Sequence, residues 1–210
     1  MKYKSILLFG APGSGKGTQG KVIGNILGFM HTSTGDLFRA LDKNSEMGKV
    51  AAQYSSKGLL VPDDFTVNLW TQSMQKLVDA GKLNPPTDIL VMDGIPRSVK
   101  QAELLADNID VLKILSLNVS DMDMMVDRLK KRAIKEGRKD DADEKVIRNR
   151  FAVYEKETQP VLGFYPKDKI ATVDALMSPI RVLEAILKVL IPIREAVDAQ
   201  PAKPSCCGGH

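Results

Sequence analysis

Residues 10–19 read GAPGSGKGTQ and follow directly on the apolar run SILLF at 5–9. The run is short, continuous and ended by Gly10, which is how a strand buried on both faces reads. From Lys16 onward Val22, Ile23, Ile26 and Leu27 recur at helical spacing and Gly28 closes the segment, giving a strand, a glycine loop and a helix. Such a loop points successive backbone N–H groups into one concavity, and the positive end of the helix dipole adds to its attraction for phosphate. Gly10, Gly13 and Gly15 supply the backbone freedom, and Lys16 places an ammonium on the anion. One departure stands out. The usual pattern follows the lysine with Ser or Thr, whose hydroxyl holds magnesium, whereas here Gly17 comes next and the first hydroxyl is that of Thr18.

The unit recurs outward from this stretch. Residues 89–92 form a second apolar run, followed by Asp93, Gly94 and Pro96 and a helical stretch at 98–106; residues 111–119 and 170–173 read as further strands. Helical patterns fall at about 35–56, 63–80, 120–136, 142–157 and 179–190. Buried strands alternating with helices predict an α/β fold with a parallel sheet covered on both faces. No internal repeat is found. Met122, Met124 and Met125 read as core filling on an amphipathic helix, Trp70 as packing, and Lys130, Lys131 and Lys135 as a solvated helix face.

The 210 residues suit a single domain that buries roughly 70% of its unfolded surface. With 43% hydrophobic and 27% charged residues the composition is that of a globular chain, which excludes the collagenous and disordered classes. The net charge of +4 admits an anionic partner without choosing among nucleotide, nucleic acid and acidic surface. Cys206 and Cys207 are adjacent, near the end, and give neither a disulfide framework nor paired zinc spacing. With no leader-like or spanning segment, a reducing, cytoplasmic setting is expected. Residues 193–210, ending DAQPAKPSCCGGH, carry little to bury and are expected to be a mostly disordered tail.

Two further features bear on chemistry. Asp93 ends a strand, where parallel sheets hold their ligands, and a carboxylate there can hold magnesium through water, lessening the need for a hydroxyl after Lys16. Arginines recur at Arg39, Arg97, Arg128, Arg132, Arg138 and Arg150. Singly each reads as a solvated surface charge; together they call for another account.

The blocks GAPGSGKGTQ, STGDLFRA (33–40), MDGIPRSVKQAE (92–103), DRLKKR (127–132), GRKDD (137–141) and VIRNRFAVYEKETQPVLGFY (146–165) together resemble the adenylate kinase family, in that family's order. The resemblance implies a P-loop NTPase three-layer fold, a mobile helical flap at about 33–62 over AMP and a short lid at about 131–141 over ATP, all within residues 1–192. It implies that Gly13, Ser14, Gly15, Lys16, Gly17 and Thr18 wrap the ATP phosphates, that Arg128 packs on the ATP base, and that Arg132, Arg138 and Arg150 surround the transferring group. On the acceptor side it implies Thr34, Arg39, Leu59, Leu60, Val61, Gly94, Ile95, Pro96, Arg97 and Gln101, with Arg97 on the AMP phosphate and Gln101 on the adenine edge. Lys16, Arg97, Arg132, Arg138 and Arg150 are then the catalytic set, Mg2+ enters with ATP through water on Asp93, and the short lid implies no structural zinc. The partners implied are ATP and AMP, handled by a monomer, with neither nucleic acid nor membrane. Where relatives have a glycine turn beside adenine this chain has ALMSP, which leaves open which of residues 175–178 takes that contact.

These residue types suit phosphoryl transfer, whose catalysis is mostly positioning and cationic stabilisation of spread negative charge. A nucleotide phosphate with a second pKa near 6 is already ionised at neutral pH, so no catalytic base is needed. His31 is accordingly read as structural or solvent-facing rather than catalytic. A UMP/CMP kinase shares the loop and arginines, but Gln101 and Thr34 resemble the adenine-selective pattern. A nonenzymatic nucleotide- or nucleic-acid-binding protein is a further alternative; RNA or DNA binding would call for a basic stripe interleaved with aromatics, and aromatics are 5% of the chain.

Overall fold

The computed structural model describes residues 2–138 and 141–200. Five strands, β1 (Tyr3–Phe9), β2 (Phe29–Ser33), β3 (Ile89–Asp93), β4 (Ile109–Asn118) and β5 (Ile170–Asp174), form one sheet in the order β2-β3-β1-β4-β5. Every pairing is parallel. Among the described residues eight α-helices connect or follow them: α1 (Lys16–Ile23), α2 (Thr34–Ala40), α3 (Glu46–Ser55), α4 (Asp63–Asp79), α5 (Val99–Leu105), α6 (Met122–Glu136), α7 (Glu144–Val153) and α8 (Pro179–Asp198).

The central strand explains the layers. Along β1, Leu7 and Phe9 join a core with Trp70 and Met74 of α4 and Ala102 and Leu105 of α5. Ile6 and Leu8 point the opposite way into a core with Ile23 of α1 and Val182, Ile186 and Leu190 of α8. Alternate residues thus feed two cores, so the run had to be continuously apolar. A third cluster, Met125, Val126, Leu129, Ile147 and Phe151, joins α6 to α7 and packs on Ala11 of the glycine loop. Trp70 is fully buried, edge-on to Tyr3.

Four features differ from the sequence reading. The strand β2 had no counterpart, because as an edge strand with only Thr32 buried it carries no apolar run. The helix expected over 35–56 is two, broken at Leu41, with Ser45 accepting the Gly48 N–H at 3.0 Å to start α3. Of the three methionines expected in the core only Met125 is buried, since Met122 and Met124 lie in the first turn of α6, ahead of its packed face. The last helix does not stop at Leu190. It continues through Pro192 to Asp198, so the tail expected from residue 193 begins inside a helix. The continuation is packed: Val197 is buried, and Arg194 Nη1 donates to the carbonyls of Gly28 (2.9 Å) and Thr87 (2.8 Å). Cys206, Cys207 and the rest of the tail from residue 201 lie outside the described residues. No helix among those described is long and apolar enough to cross a membrane.

In the sheet, Leu8 pairs with Asp93, and Asp93 with Ser33. The glycine loop after β1 and the loops after β3 and β2 therefore leave the same end of the sheet side by side, the end at which parallel α/β folds bind ligands.

Candidate active site

The loop's glycines are required by geometry at two places. Gly13 has φ 85°, and a Cβ there would meet the Met125 carbonyl oxygen at 2.9 Å; Gly15 caps α1 with φ 95°. Both lie in the left-handed region that side chains disfavour. Ser14 is buried, and Thr18 is exposed at the start of α1. Lys16 curls back over the loop, its Nζ donating to the carbonyls of Gly10 (2.5 Å) and Ala11 (2.9 Å). Removal from water pulls its pKa down to about 8, an effect opposed by Asp93 and reinforced by Arg97, Arg150 and Arg132.

Gly17 fits its neighbour. A Cβ at this position would lie 3.4 Å from Asp93 Oδ2, so the strand-end carboxylate sits where a side chain after Lys16 would reach. Burial pushes the Asp93 carboxyl up, but His31, Lys16 and Arg97 outweigh this and hold it below its ordinary value. His31 Nε2 stands 3.7 Å from Asp93 Oδ2, beyond hydrogen-bond length, and is buried with no hydrogen-bond partner. Its ring fills a notch over Gly20, where a Cβ would approach within 2.5 Å. The structural reading of His31 fits this packing.

On the other side of the site Thr34 Oγ1 donates to Gly94 O (2.7 Å), and Arg97 Nε donates to the same carbonyl (3.0 Å). Gly94 has φ 81°. The Arg97 backbone is held twice: its N–H donates to Gln101 Oε1 (2.7 Å), and its carbonyl accepts from Thr158 Oγ1 (2.9 Å), a residue of the π turn Tyr154–Thr158 that follows α7. Arg39 pairs with Asp36 of its own helix. The Ile95 side chain enters the core rather than the site.

The remaining arginines cluster about one carboxylate. Asp141 is completely buried; its Oδ2 accepts from Arg132 Nε (2.7 Å), and its Oδ1 accepts from Arg150 Nη1. Burial, with Arg138 and Arg150 nearby, lowers the Arg132 pKa despite this partner. Arg138 Nε pairs with Glu136 at 2.7 Å. Arg128 stands apart, donating from Nη1 to the Ala175 carbonyl at 3.2 Å.

A cavity of about 780 Å3 opens over the sheet end, a size suited to small-molecule ligands. Of the residues singled out from sequence its wall includes Lys16, Thr34, Arg39, Leu59, Leu60, Val61, Gly94, Pro96, Arg97, Gln101, Arg138 and Arg150. Gly13, Ser14, Gly15, Gly17, Thr18, Asp93, Ile95, Arg128 and Arg132 are not among the wall residues. Three residues that organise the site were not singled out: Asp141, Thr158 and Asp63, whose Oδ1 accepts from both Ser98 and Gln101. The second aspartate of RKDD was a visible signal for Asp141; the other two act through partners distant in the chain. Among the described residues no group of three or more His, Cys, Asp or Glu could hold a metal ion.

Comparison with known proteins gives the family. Residues 8–170 match a family model described as adenylate kinase. An adenylate kinase of Cyanothece sp. is 40% identical over 177 residues, covering 80% of this chain and 86% of the relative. Those of Mycobacterium bovis (38% over 192 residues) and Corynebacterium urealyticum (36% over 191) each cover 88% of this chain and 98% of their own.

Proposed function

The chain belongs to the adenylate kinase family of phosphotransferases, and we propose that it catalyses the reversible, Mg2+-dependent transfer of the terminal phosphoryl group of ATP to AMP, giving two ADP. The observation that carries this reading is that one cavity wall includes Lys16 of the glycine loop together with Arg97, Arg138 and Arg150, and Thr34 and Gln101 beside them. Several cations in the wall of one cavity suit a reaction whose charge spreads over equatorial phosphoryl oxygens.

In this reading the backbone from Gly13 to Thr18 and the Lys16 ammonium hold the ATP phosphates. Arg128 packs on the ATP base, and its hydrogen bond to Ala175 favours Ala175 among residues 175–178 as the neighbour of that base. Arg97 and Arg39 take the AMP phosphate, while Leu59, Leu60 and Val61 and the backbone of Gly94 to Pro96 receive its nucleoside. Arg132, Arg138 and Arg150 steady the group in flight, the first and last aligned by Asp141. The AMP phosphate attacks directly, so no side chain removes a proton.

Mg2+ keeps several waters and is commonly bound through one or two carboxylates plus substrate phosphates. The lone Asp93 carboxylate beside Gly17, held below its ordinary pKa, fits that need, and Mg2+ would supply neutralisation of phosphate charge. The flap (33–62) and lid (131–141) close over the two nucleotides and exclude water, which would otherwise consume ATP. Both substrates are handled by one chain, so we infer a monomer acting on free nucleotides in the cytoplasm, binding neither nucleic acid nor membrane.

The test is diphosphate formation from ATP and Mg2+ with AMP, CMP, UMP or GMP supplied separately. AMP is expected to be preferred. Preference for a pyrimidine monophosphate would convert the assignment to a UMP/CMP kinase, and no transfer to any of them would leave a binding protein.

A further inference from the structure

Gln101 is 1% exposed, yet it lines the cavity. A glutamine amide has two ends of opposite hydrogen-bonding sense, and which end faces which way decides what it can read. Here both ends are committed. Its Oε1 accepts from the Arg97 backbone N–H at 2.7 Å, a group that can only donate. Its Nε2 donates at 2.9 Å to Asp63 Oδ1, a carboxylate that accepts. Turning the amide over would set NH2 against N–H on one side and carbonyl against carboxylate on the other. Asp63 is itself fixed by the Ser98 hydroxyl, which donates to the same Oδ1 at 2.8 Å while its oxygen caps α5 by accepting the Gln101 N–H at 3.1 Å.

We propose that Asp63 is a specificity-determining positioning residue: through the Gln101 amide it makes the acceptor pocket select 6-aminopurine over 6-oxopurine monophosphates. The inference rests on the proposal that Gln101 reads the acceptor base. One lone pair of Oε1 and one hydrogen of Nε2 remain for a ligand. That pair matches adenine, whose N6 amino group donates and whose N1 accepts. It opposes hypoxanthine, whose O6 accepts and whose N1–H donates. Asp63 touches no substrate. It lies at the start of α4, outside the cavity wall, and acts by denying Gln101 its reversed orientation.

The experiment compares kcat/KM for AMP and for IMP, with ATP and Mg2+ fixed, in the unmutated protein and in Asp63→Asn and Asp63→Ala. Asn can donate as well as accept, and Ala can do neither, so each removes the carboxylate's hold on the amide and leaves the Arg97 N–H alone to orient it. The AMP-over-IMP ratio is expected to fall severalfold in both, up to the roughly tenfold of a whole bidentate base contact. A ratio unchanged in the variants would overturn the inference while leaving AMP as the substrate. An unmutated protein without AMP preference would instead overturn the functional reading beneath it. Should the variants not fold, hydrogen exchange in the unmutated protein decides: the Gln101 side-chain amide protons are expected to exchange more slowly than those of exposed Gln53. Exchange as fast as Gln53 would overturn the inference.

Discussion

At the scale of single residues, Lys16 makes the most demanding predictions. Its pKa of about 8 belongs to the protein without substrate, the state that kcat/KM reports. As pH rises past about 8, Lys16 loses the proton that attracts ATP, so kcat/KM for ATP should decline there. kcat should hold to higher pH, because bound phosphates favour the charged form. Stability moves the other way. Between about 8 and the ordinary lysine value of 10.5 the unfolded chain binds more protons than the folded one, so this group's contribution to stability grows as pH rises through that window. Replacing Lys16 by Met should lower turnover by on the order of 100-fold while the protein still folds; near-normal steady-state turnover would remove Lys16 from the catalytic set. Its importance was legible because its partners lie within its own loop. Asp141 was visible only as the second aspartate of RKDD, and its role was not, since that comes from complete burial between Arg132 and Arg150, each nine residues away. Changing Asp141 to Asn removes the charge and keeps the shape. The expected loss is about 1–3 kcal/mol of unfolding free energy, visible as a lower urea midpoint, together with reduced turnover.

Among the elements, legibility followed burial. Strands β1 and β3 announced themselves because both faces are covered, whereas β2 hid at the sheet edge with a half-buried sequence. The division of α2 from α3 was equally hard to read, because it depends on Leu41 turning extended ahead of the Ser45 cap. The far half of α8 was misread because Pro192 and the polar residues beyond it suggest an end. What keeps that half in place is Arg194, reaching two carbonyls from different loops. Arg194→Ala should leave the Gly28 and Thr87 carbonyls without this donor and cost about 1–3 kcal/mol. An unchanged denaturation midpoint would mean that the apolar face alone docks the helix. The contact of α1 with β2 has an opposite weakness, being too close rather than too loose. Gly20→Ala would drive a methyl to 2.5 Å from the His31 ring. A destabilisation of about 1–3 kcal/mol is expected, and thermal melting checks it.

For the molecule as a whole, alternation of apolar strands with helices foretold a parallel sheet between two helical layers, and the two separate cores built on opposite faces of β1 realise it. The order of the strands was not written in any local pattern, because it is decided by which faces and edges find one another across the chain. The same holds for the cavity: its wall gathers Lys16 near the start, Thr34, Arg97 and Gln101, then Arg138 and Arg150, segments that meet only when the sheet is complete.

That strand order carries a consequence for how the protein comes into being. The first strand made, β1, takes the central place, and both its neighbours come late: Ser5 pairs with Leu90, and Ile6 with Lys113. While the chain is being synthesised, this buried apolar strand waits without a partner until β3 has left the ribosome. Contacts so distant along the chain form slowly. A nascent fragment ending before Ile89 should therefore show no protection of the β1 amides from exchange, and those amides should become protected only once Asn118 is present.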